Sequence, residues 1–378
     1  MFRKIKDLLT SYKLSKINFR LLVYVFSLTA IGIVCIGSAV AEENYQFKQI
    51  IGLIISLIVL VIASLVSYKF ILKLSWPIYF ISIVLLLLVL LFGATKLGAT
   101  RWIDFGFFQF QPSEFAKLFL IIFVASYIHK RYETIDTAKT LLSVTFFALI
   151  ILGLIYKEPD LSSTIVIFIT FCAIIFLSNI NGKILAMIAI IAVPIIIVFG
   201  YFTVDPNSGI LEKYQYNRII GFFQEDNAEA KKIRYQQENS LLAIGSGGLT
   251  GKGVDNDDVT SVKNGKFLSE AHTDFIFTIV GEELGFIGAA AVIILIFLIV
   301  IECFIVGTRA PDIGGRLFCY GFGVLIAIQS IVNICVATML LPNTGVTLPF
   351  VSYGLTSLLS LYSGIGMVIN IGLQRKKV

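Results

Sequence analysis

The stretch Ser269-Glu270-Ala271-His272-Thr273-Asp274 stands directly before an apolar run that continues to about residue 306. It closes a polar segment, roughly 203–273, in a chain that is otherwise built from long apolar segments. Ionisable groups in or at the edge of a spanning helix are costly and rare, so each one is a functional candidate. The aspartate at this helix mouth is therefore the first residue to explain.

Composition sets the class of protein. The chain is 57% apolar and 14% charged, with a mean hydropathy of +0.90, and these values exclude a soluble globular domain. Segments of about 18 or more apolar residues predict membrane-spanning helices. The predicted spans are about 18–40, 48–68, 72–93, 114–128, 141–156, 161–178, 184–202, 274–306, 317–338 and 353–372. We therefore expect an all-α polytopic membrane protein of about ten transmembrane helices, folded as one domain over 1–378.

Basic residues predict the orientation, because cytoplasmic loops are rich in Lys and Arg. One side holds 17 of the 30 basic residues: Arg3, Lys4, Lys6, Lys13, Lys16, Arg20, Lys69, Lys73, Lys130, Arg131, Lys139, Lys183, Arg309, Arg316, Arg375, Lys376 and Lys377. The short loops opposite hold Lys48, Lys96, Arg101 and Lys157. Both termini are predicted to be cytoplasmic, with the long polar loop outside. The net charge of +6 then indicates anionic membrane lipid as a partner and gives no reason to expect nucleic acid.

A first polar cluster surrounds the start of the fourth predicted span. Pro112 is a helix opener and Ser113 a predicted N-cap. Glu114 and Lys117 are three residues apart, so they can pair on one helix face. That pair is equally well explained by structure alone or by function. Arg101 is expected either to anchor the chain at the interface or to bind a lipid phosphate.

Further acids stand near the outer ends of later spans. Asp160 is predicted to cap the sixth span, and Glu114, Asp160 and Asp274 could line one pocket. Glu282 lies about 80° around the helix axis from Asp274, so it is the better candidate to share that cavity. Glu283 lies opposite and is expected to face another helix.

The two histidines are predicted to lie on opposite sides of the membrane, His129 inside and His272 outside. No His-rich metal site is therefore expected. Asp274 alone could be a helix cap favoured by the helix dipole. Its proximity in sequence to His272 favours chemistry at this aspartate.

Three segments are predicted to be special within this helical pattern. Residues 236–244 could form an amphipathic helix, and the glycine-rich 245–253 a tight turn that fails the phosphate-binding loop pattern. Residues 341–354 carry no charge but two prolines and two glycines, so they are predicted to be re-entrant backbone that lines a cavity.

Together these blocks resemble the SEDS (shape, elongation, division and sporulation) family of RodA, FtsW and SpoVE. The resemblance covers essentially the whole chain, with the motifs in family order. The motifs are Gly98–Ile103, Gln111–Glu114 with Ala116-Lys117, Glu158–Leu161, Ala243–Leu249, Glu270–Phe277 with Gly281–Gly285, and Thr344–Gly354.

The resemblance implies a peptidoglycan glycosyltransferase that polymerises lipid II outside the bacterial plasma membrane, beside a class B penicillin-binding protein. It places the family's essential aspartate on Asp274, conserved cavity residues on Glu114, Lys117 and Asp160, and a loop arginine on Arg218. The predicted substrate contacts are Arg101, Glu114, Lys117, Asp160, Arg218, His272, Glu282 and Ser352.

In this interpretation Asp274 is a general base, and cations stabilise the departing diphosphate of the undecaprenyl-diphosphate-linked glycan. Arg101, Lys117 and Arg218 are the candidate cations. No cofactor is evident, although a divalent cation (Mg or Mn) could assist. Two alternatives remain: a lipid II flippase, since buried charge among ten helices also describes a transporter, and a scaffold for a penicillin-binding protein.

Overall fold

The structure is a computed structural model. It describes residues 17–39, 44–96, 99–106, 109–184, 213–223, 228–255, 261, 268 and 270–374. The helices before the long polar loop are α1 (Phe19–Ala39), α2 (Tyr45–Leu65), α3 (Tyr68–Lys73), α4 (Ser75–Phe92), α5 (Pro112–Lys130), α6 (Ala138–Lys157) and α7 (Leu161–Leu177). The later ones are α8 (Lys213–Phe223), α9 (Ala228–Ser246), α10 (Ile276–Thr308), α11 (Ile313–Ala337) and α12 (Leu355–Leu373).

Long apolar helices dominate the fold. Within the described ranges, eight helices are long and apolar enough to cross a membrane, and α7 is an apolar helix of 17 residues. Helices suit this environment because they satisfy their own backbone hydrogen bonds. Nine of the ten predicted spans overlap these helices, which confirms the multi-pass fold. The remaining span, 184–202, lies outside the described residues apart from Ile184.

Two helices form the centre of the bundle. In the most apolar 18-residue stretch of each helix, 83% of the residues of α5 and 78% of those of α12 are buried, compared with 22% in α2. α12 packs along α2 and α5, while α11 packs against α5, α7 and α10. Charged side chains on α5 are therefore surrounded by protein, which explains why a span with buried charge can exist.

Helix starts differ in part from the prediction. Pro112 does open α5, but the N-cap residue is Gln111, and Ser113 lies inside the helix and is fully buried. The fourth and fifth spans are also longer than predicted, 19 and 20 residues. The fourth predicted span omitted Pro112 and Ser113 at the start of the helix and His129 and Lys130 at its end. Asp160 caps α7 as predicted, accepting a hydrogen bond from the Ser163 backbone at 3.1 Å.

α10 is a 33-residue helix with a sharp break at Gly285 (φ 64°, ψ −162°), a conformation that only glycine adopts readily. The glycine-rich turn after α9 docks on this break. The Lys252 N–H donates to the carbonyl of Glu282 at 2.9 Å, and the Phe286 N–H to that of Gly248 at 2.9 Å. The predicted turn is confirmed, and its function in the fold is to cover the kink.

The loops between the long helices contain structure that the sequence did not predict. A three-stranded antiparallel sheet, within the described ranges, comprises β1 (Ala94–Lys96), β2 (Ala99–Asp104) and β3 (Gln109–Phe110). The predicted helix at 236–244 is confirmed and extends over all of α9, which packs on α10. α8 was not predicted. β2 and α8 matter here because each carries an arginine of the site.

Candidate functional site

The turn before α10 is held in place by the segment between α11 and α12, residues 338–354 (the α11–α12 segment). Asn333 at the end of α11 donates its side-chain amide to the Asp274 carbonyl at 2.8 Å and to the Val346 carbonyl at 2.6 Å. Ser352 donates its hydroxyl to the Thr273 carbonyl at 2.7 Å. The α11–α12 segment is irregular as predicted, and it fixes the backbone of the acidic turn.

Ser352 therefore has a clear structural task. Its hydroxyl also accepts the Leu348 N–H at 2.7 Å, so it closes a turn within the α11–α12 segment. Its predicted contact with substrate stays a prediction. Asp274 is not the cap of α10, because the helix begins at Ile276 and its N-cap is Phe275.

His272 lies in an aromatic cluster beside the turn. Its ring stacks on Tyr45, with centroids 4.3 Å apart, and is tilted 54° to Tyr353 at 5.6 Å. Its Nε2 lies 3.9 Å from a carboxylate oxygen of Glu270. These contacts give the side chain a packing role, and the predicted role in substrate binding stays a prediction.

The Asp274 carboxylate lies close to Arg218 at a glycine. An ideal Cβ at Gly345 would be 2.8 Å from Arg218 Nη1 and 3.2 Å from Asp274 Oδ2. Gly345 has φ +72°, a backbone conformation that favours glycine. The absence of a side chain at this position of the α11–α12 segment thus lets an arginine from α8 and the aspartate approach the same point.

The charges around Asp274 oppose one another. Burial raises its pKa from 3.8 to about 6, with further upward contributions from the negative charges of Glu270 and Asp160, while Arg218 and Arg101 lower it. The carboxyl lies in a turn outside α10. Its pKa keeps it largely ionised at neutral pH while leaving it far more basic than an ordinary aspartate. That is the property a general base needs.

Arg101 reaches this region from β2. It donates to the carbonyl of Pro159, and its Nη1 lies 3.8 Å from Asp160 Oδ1. Both side chains of this ion pair are buried. The sharp turn between α6 and α7 thus holds the Arg101 guanidinium where it acts electrostatically on Asp274.

The same turn contains a second carboxyl, Glu158, which is 0% exposed. Burial first, and then the charge of Asp160, raise its pKa to about 9, while Arg101 opposes the shift. Glu158 is therefore protonated and neutral at physiological pH.

Glu114 and Lys117 form the predicted pair, with Lys117 Nζ 2.6 Å from the Glu114 carboxylate. Lys117 also donates to the side-chain oxygen of Gln329 at 3.1 Å, and the Gln329 amide donates to the Thr347 carbonyl at 3.0 Å. This buried chain of contacts connects α5 through α11 to the α11–α12 segment. It links the pair to the backbone that surrounds Asp274.

The acids of α10 face different partners. Glu282 pairs with Lys252 of the glycine-rich turn at 2.9 Å. Glu283 accepts a hydrogen bond from Ser38 of α1, so it faces another helix as predicted. The Glu282 carboxylate thus helps to hold the glycine-rich turn against the kink at Gly285. Its predicted place in the Asp274 cavity stays a prediction.

The structure thus associates four predicted residues at one locus: Asp274, Asp160, Arg101 and Arg218. Sequence reasoning missed Gly345 and the buried acid Glu158. The available signal for Gly345 was a glycine in an apolar segment that contains prolines. The signal for Glu158 was a second acid two residues from the capping aspartate.

Carboxylate oxygens are the ligands that Mg²⁺ or Mn²⁺ would use, and the carboxylates of this locus are Asp274 with Asp160 and Glu270, which act on it electrostatically. Across the described ranges, no group of three or more His, Cys, Asp or Glu side chains is arranged to hold a metal ion.

Fold and site define a multi-pass membrane protein with a half-buried acid flanked by arginines. The sequence model of the FtsW, RodA and SpoVE family, described as "Cell cycle protein", matches residues 19–377. The chain belongs to this family. The probable peptidoglycan glycosyltransferase FtsW of Haemophilus influenzae is 35% identical, covering 91% of this chain and 87% of that protein. That of Escherichia coli O6:H1 is 33% identical, covering 93% and 84%.

Solved structures give the same result. A chain from a peptidoglycan synthase complex that coordinates polymerization and crosslinking superposes with a TM-score of 0.77 at 26% identity, covering 94% of this chain and 97% of that one. The rod shape determining protein RodA of Thermus thermophilus superposes with a TM-score of 0.68 at 27% identity, covering 96% and 98%. The membrane fold is thus shared over nearly the whole length.

Proposed function

We propose that this chain is a peptidoglycan glycosyltransferase that polymerises lipid II at the outer face of the bacterial plasma membrane. Relatives that carry the name peptidoglycan glycosyltransferase align over most of the chain. The observation that carries the chemistry is Asp274, a carboxylate with a pKa near 6 beside Arg218.

In the proposed reaction Asp274 takes the proton from the 4-hydroxyl of the acceptor sugar. The hydroxyl oxygen bonds to the anomeric carbon of the donor glycan with inversion, and the bond from that carbon to the diphosphate oxygen breaks. Undecaprenyl diphosphate leaves with the bonding electron pair. One base and a good leaving group suffice, so no second carboxylic acid is required.

Negative charge grows on the diphosphate as the bond breaks, and fixed cations stabilise it. Arg218 and Arg101 are the cations with an electrostatic effect on Asp274. Lys117 is held further along the buried chain of contacts by Glu114 and Gln329. A divalent cation would supply the same stabilisation.

The distribution of basic residues supports an outward-facing site, because Asp274 is predicted to lie on the same side as the short loops that are poor in Lys and Arg. A class B penicillin-binding protein is the proposed partner. The superposed chain from a peptidoglycan synthase complex supports this assignment, because such a complex couples polymerization to crosslinking.

The test uses purified full-length protein, with and without its class B penicillin-binding protein, and lipid II as substrate. Glycan polymer is resolved on a gel. Asp274→Asn is nearly isosteric and should bind lipid II but form no polymer. Polymer from this variant would remove the aspartate from the role of base.

The same preparations distinguish the alternatives. Transbilayer movement of labelled lipid II in vesicles, without polymer, would identify a flippase. Polymer that requires the partner but tolerates Asp274→Ala would identify a scaffold.

A further inference from the structure

Glu158 is a buried acid that the proposed mechanism does not use. Its side chain is 0% exposed, and neither carboxyl oxygen has a hydrogen-bond partner in the part of the chain that the structure describes. Burying a polar group without a hydrogen-bond partner is unfavourable, because the group loses its hydrogen bonds to water and gains none in the protein. An unsatisfied buried group in a folded protein therefore calls for an explanation, and one explanation is a partner that a ligand supplies.

The position of Glu158 places it within reach of the site's charges. The next residue, Pro159, gives its carbonyl to Arg101, and Asp160 lies 3.8 Å from the same guanidinium. Arg101 and Asp160 also act electrostatically on Asp274. Arg101 therefore acts electrostatically on both Glu158 and Asp274.

The charged groups that face Glu158 are few. Arg101 comes from β2 and Asp160 from its own turn, and these are the charges that shift its pKa. The α11–α12 segment, which meets this turn where Ser162 donates to the Thr344 carbonyl, contains no Asp, Glu, His, Lys or Arg, and its one titratable side chain is Tyr353. With burial as the dominant effect, the acid holds its proton up to about pH 9.

We propose that Glu158 is a further substrate-binding residue, whose carboxylic acid donates a hydrogen bond to a diphosphate oxygen held at Arg101. The inference rests on the proposed function. A neutral acid suits this place because it donates a hydrogen bond without adding negative charge beside a dianionic group. The proton stays on Glu158 throughout, so no covalent step is involved.

The test measures binding of lipid II to detergent-solubilised protein carrying Asp274→Asn, which prevents turnover. Glu158→Leu keeps the volume but has no donor, and should weaken binding by roughly tenfold or more at pH 7. Glu158→Gln keeps a neutral donor and should rescue most of that loss.

The pH dependence provides the sharper comparison. With Glu158 present, affinity should fall above about pH 9, roughly tenfold per pH unit, as the acid loses its donor proton and becomes anionic. Glu158→Gln should lack this fall. Both diphosphate charges of lipid II are fully ionised over this range, and every other titrating group is common to the two proteins.

Equal affinity of the parent and Glu158→Leu at pH 7 would overturn the proposal. So would identical pH dependence in the parent and Glu158→Gln, a comparison that stands even where the leucine variant fails to fold. Polymer formation is measured separately with Asp274 intact. Absence of polymer together with the predicted binding pattern would refute the proposed function and leave this inference standing.

Discussion

Gly345→Ala changes the point at which the acid and its arginine meet. The new methyl group would lie 2.8 Å from Arg218 Nη1 and 3.2 Å from Asp274 Oδ2, on a backbone with φ +72°. The backbone costs about 1–2 kcal/mol for an L-residue in this region. The guanidinium is the flexible partner, so we expect it to move away from the carboxylate.

The magnitude follows from the charges. An opposite charge within about 4–6 Å lowers a carboxyl pKa by about 1–3 units, so losing part of it should raise the Asp274 pKa by about one unit. At pH 7 the ionised fraction would fall from about nine-tenths to about one-half. Losing a charged hydrogen bond to diphosphate removes about 1.5–3 kcal/mol, so the polymerisation rate should fall about 10–100-fold.

The assay is the rate of glycan formation from lipid II across pH 5 to 8.5, with Gly106→Ala as the matched control. Gly106 also has a positive φ, +83°, but its Cβ would meet nothing within 4 Å among the described residues. The control carries the backbone cost without the crowding. If both variants polymerise at the same rate with the same pH profile, the proximity of Arg218 to Asp274 is irrelevant to catalysis.

Three further outcomes are expected. Lys117→Met should destabilise the protein by about 3–5 kcal/mol, because it leaves the buried Glu114 carboxylate unpaired. Adding Glu114→Gln to this variant should restore the melting temperature but not polymer formation. If polymer formation also returned, the role of Lys117 would be purely structural. Glu158→Gln should change the pH dependence of stability: the folded pKa is about 9 against 4.5 unfolded, so wild-type stability falls by about 1.4 kcal/mol per pH unit as pH rises between these values. The melting temperature of this variant should exceed that of wild type by more at pH 8 than at pH 5, and an equal gap would contradict the buried protonated acid. Gly285→Ala should lower the free energy of unfolding by at least about 2 kcal/mol, because the backbone at the kink favours glycine and a Cβ would lie 2.3 Å from the Gly251 backbone nitrogen. The control is Gly153→Ala within helix α6, where a Cβ would meet nothing within 4 Å in the described part of the chain and thermal stability should hardly change. Similar losses in both variants would show that the kink does not require glycine.

Features with local causes were predictable from the sequence. Long apolar runs predicted the spans because a bilayer requires that length. The Asp160 cap and the pairing of Glu114 with Lys117 depend on spacings of three residues, which a helix fixes. Ser113 was misassigned as the cap because Pro112 already occupies the first helical position, which moves the cap to Gln111.

Features that depend on contacts between distant segments were not predictable. The approach of Arg218 from α8 to Asp274 needs the α11–α12 segment, and the bare backbone of Gly345, to lie between them. The break at Gly285 appears in the sequence as an ordinary glycine in an apolar helix. The glycine-rich turn after α9, which is distant in sequence, packs on this break and bonds to the backbone on both sides of it.

The proposed function requires Asp274 to act as the general base from a half-buried position with a raised pKa. The most direct measurement is the rate of lipid II polymerisation by the wild-type protein as a function of pH at saturating substrate. The rate should rise about tenfold per pH unit below about pH 6 and level off above it, as the carboxyl becomes ionised. A rate that is independent of pH between 4.5 and 7.5, or that falls as pH rises through about 6, would contradict the account.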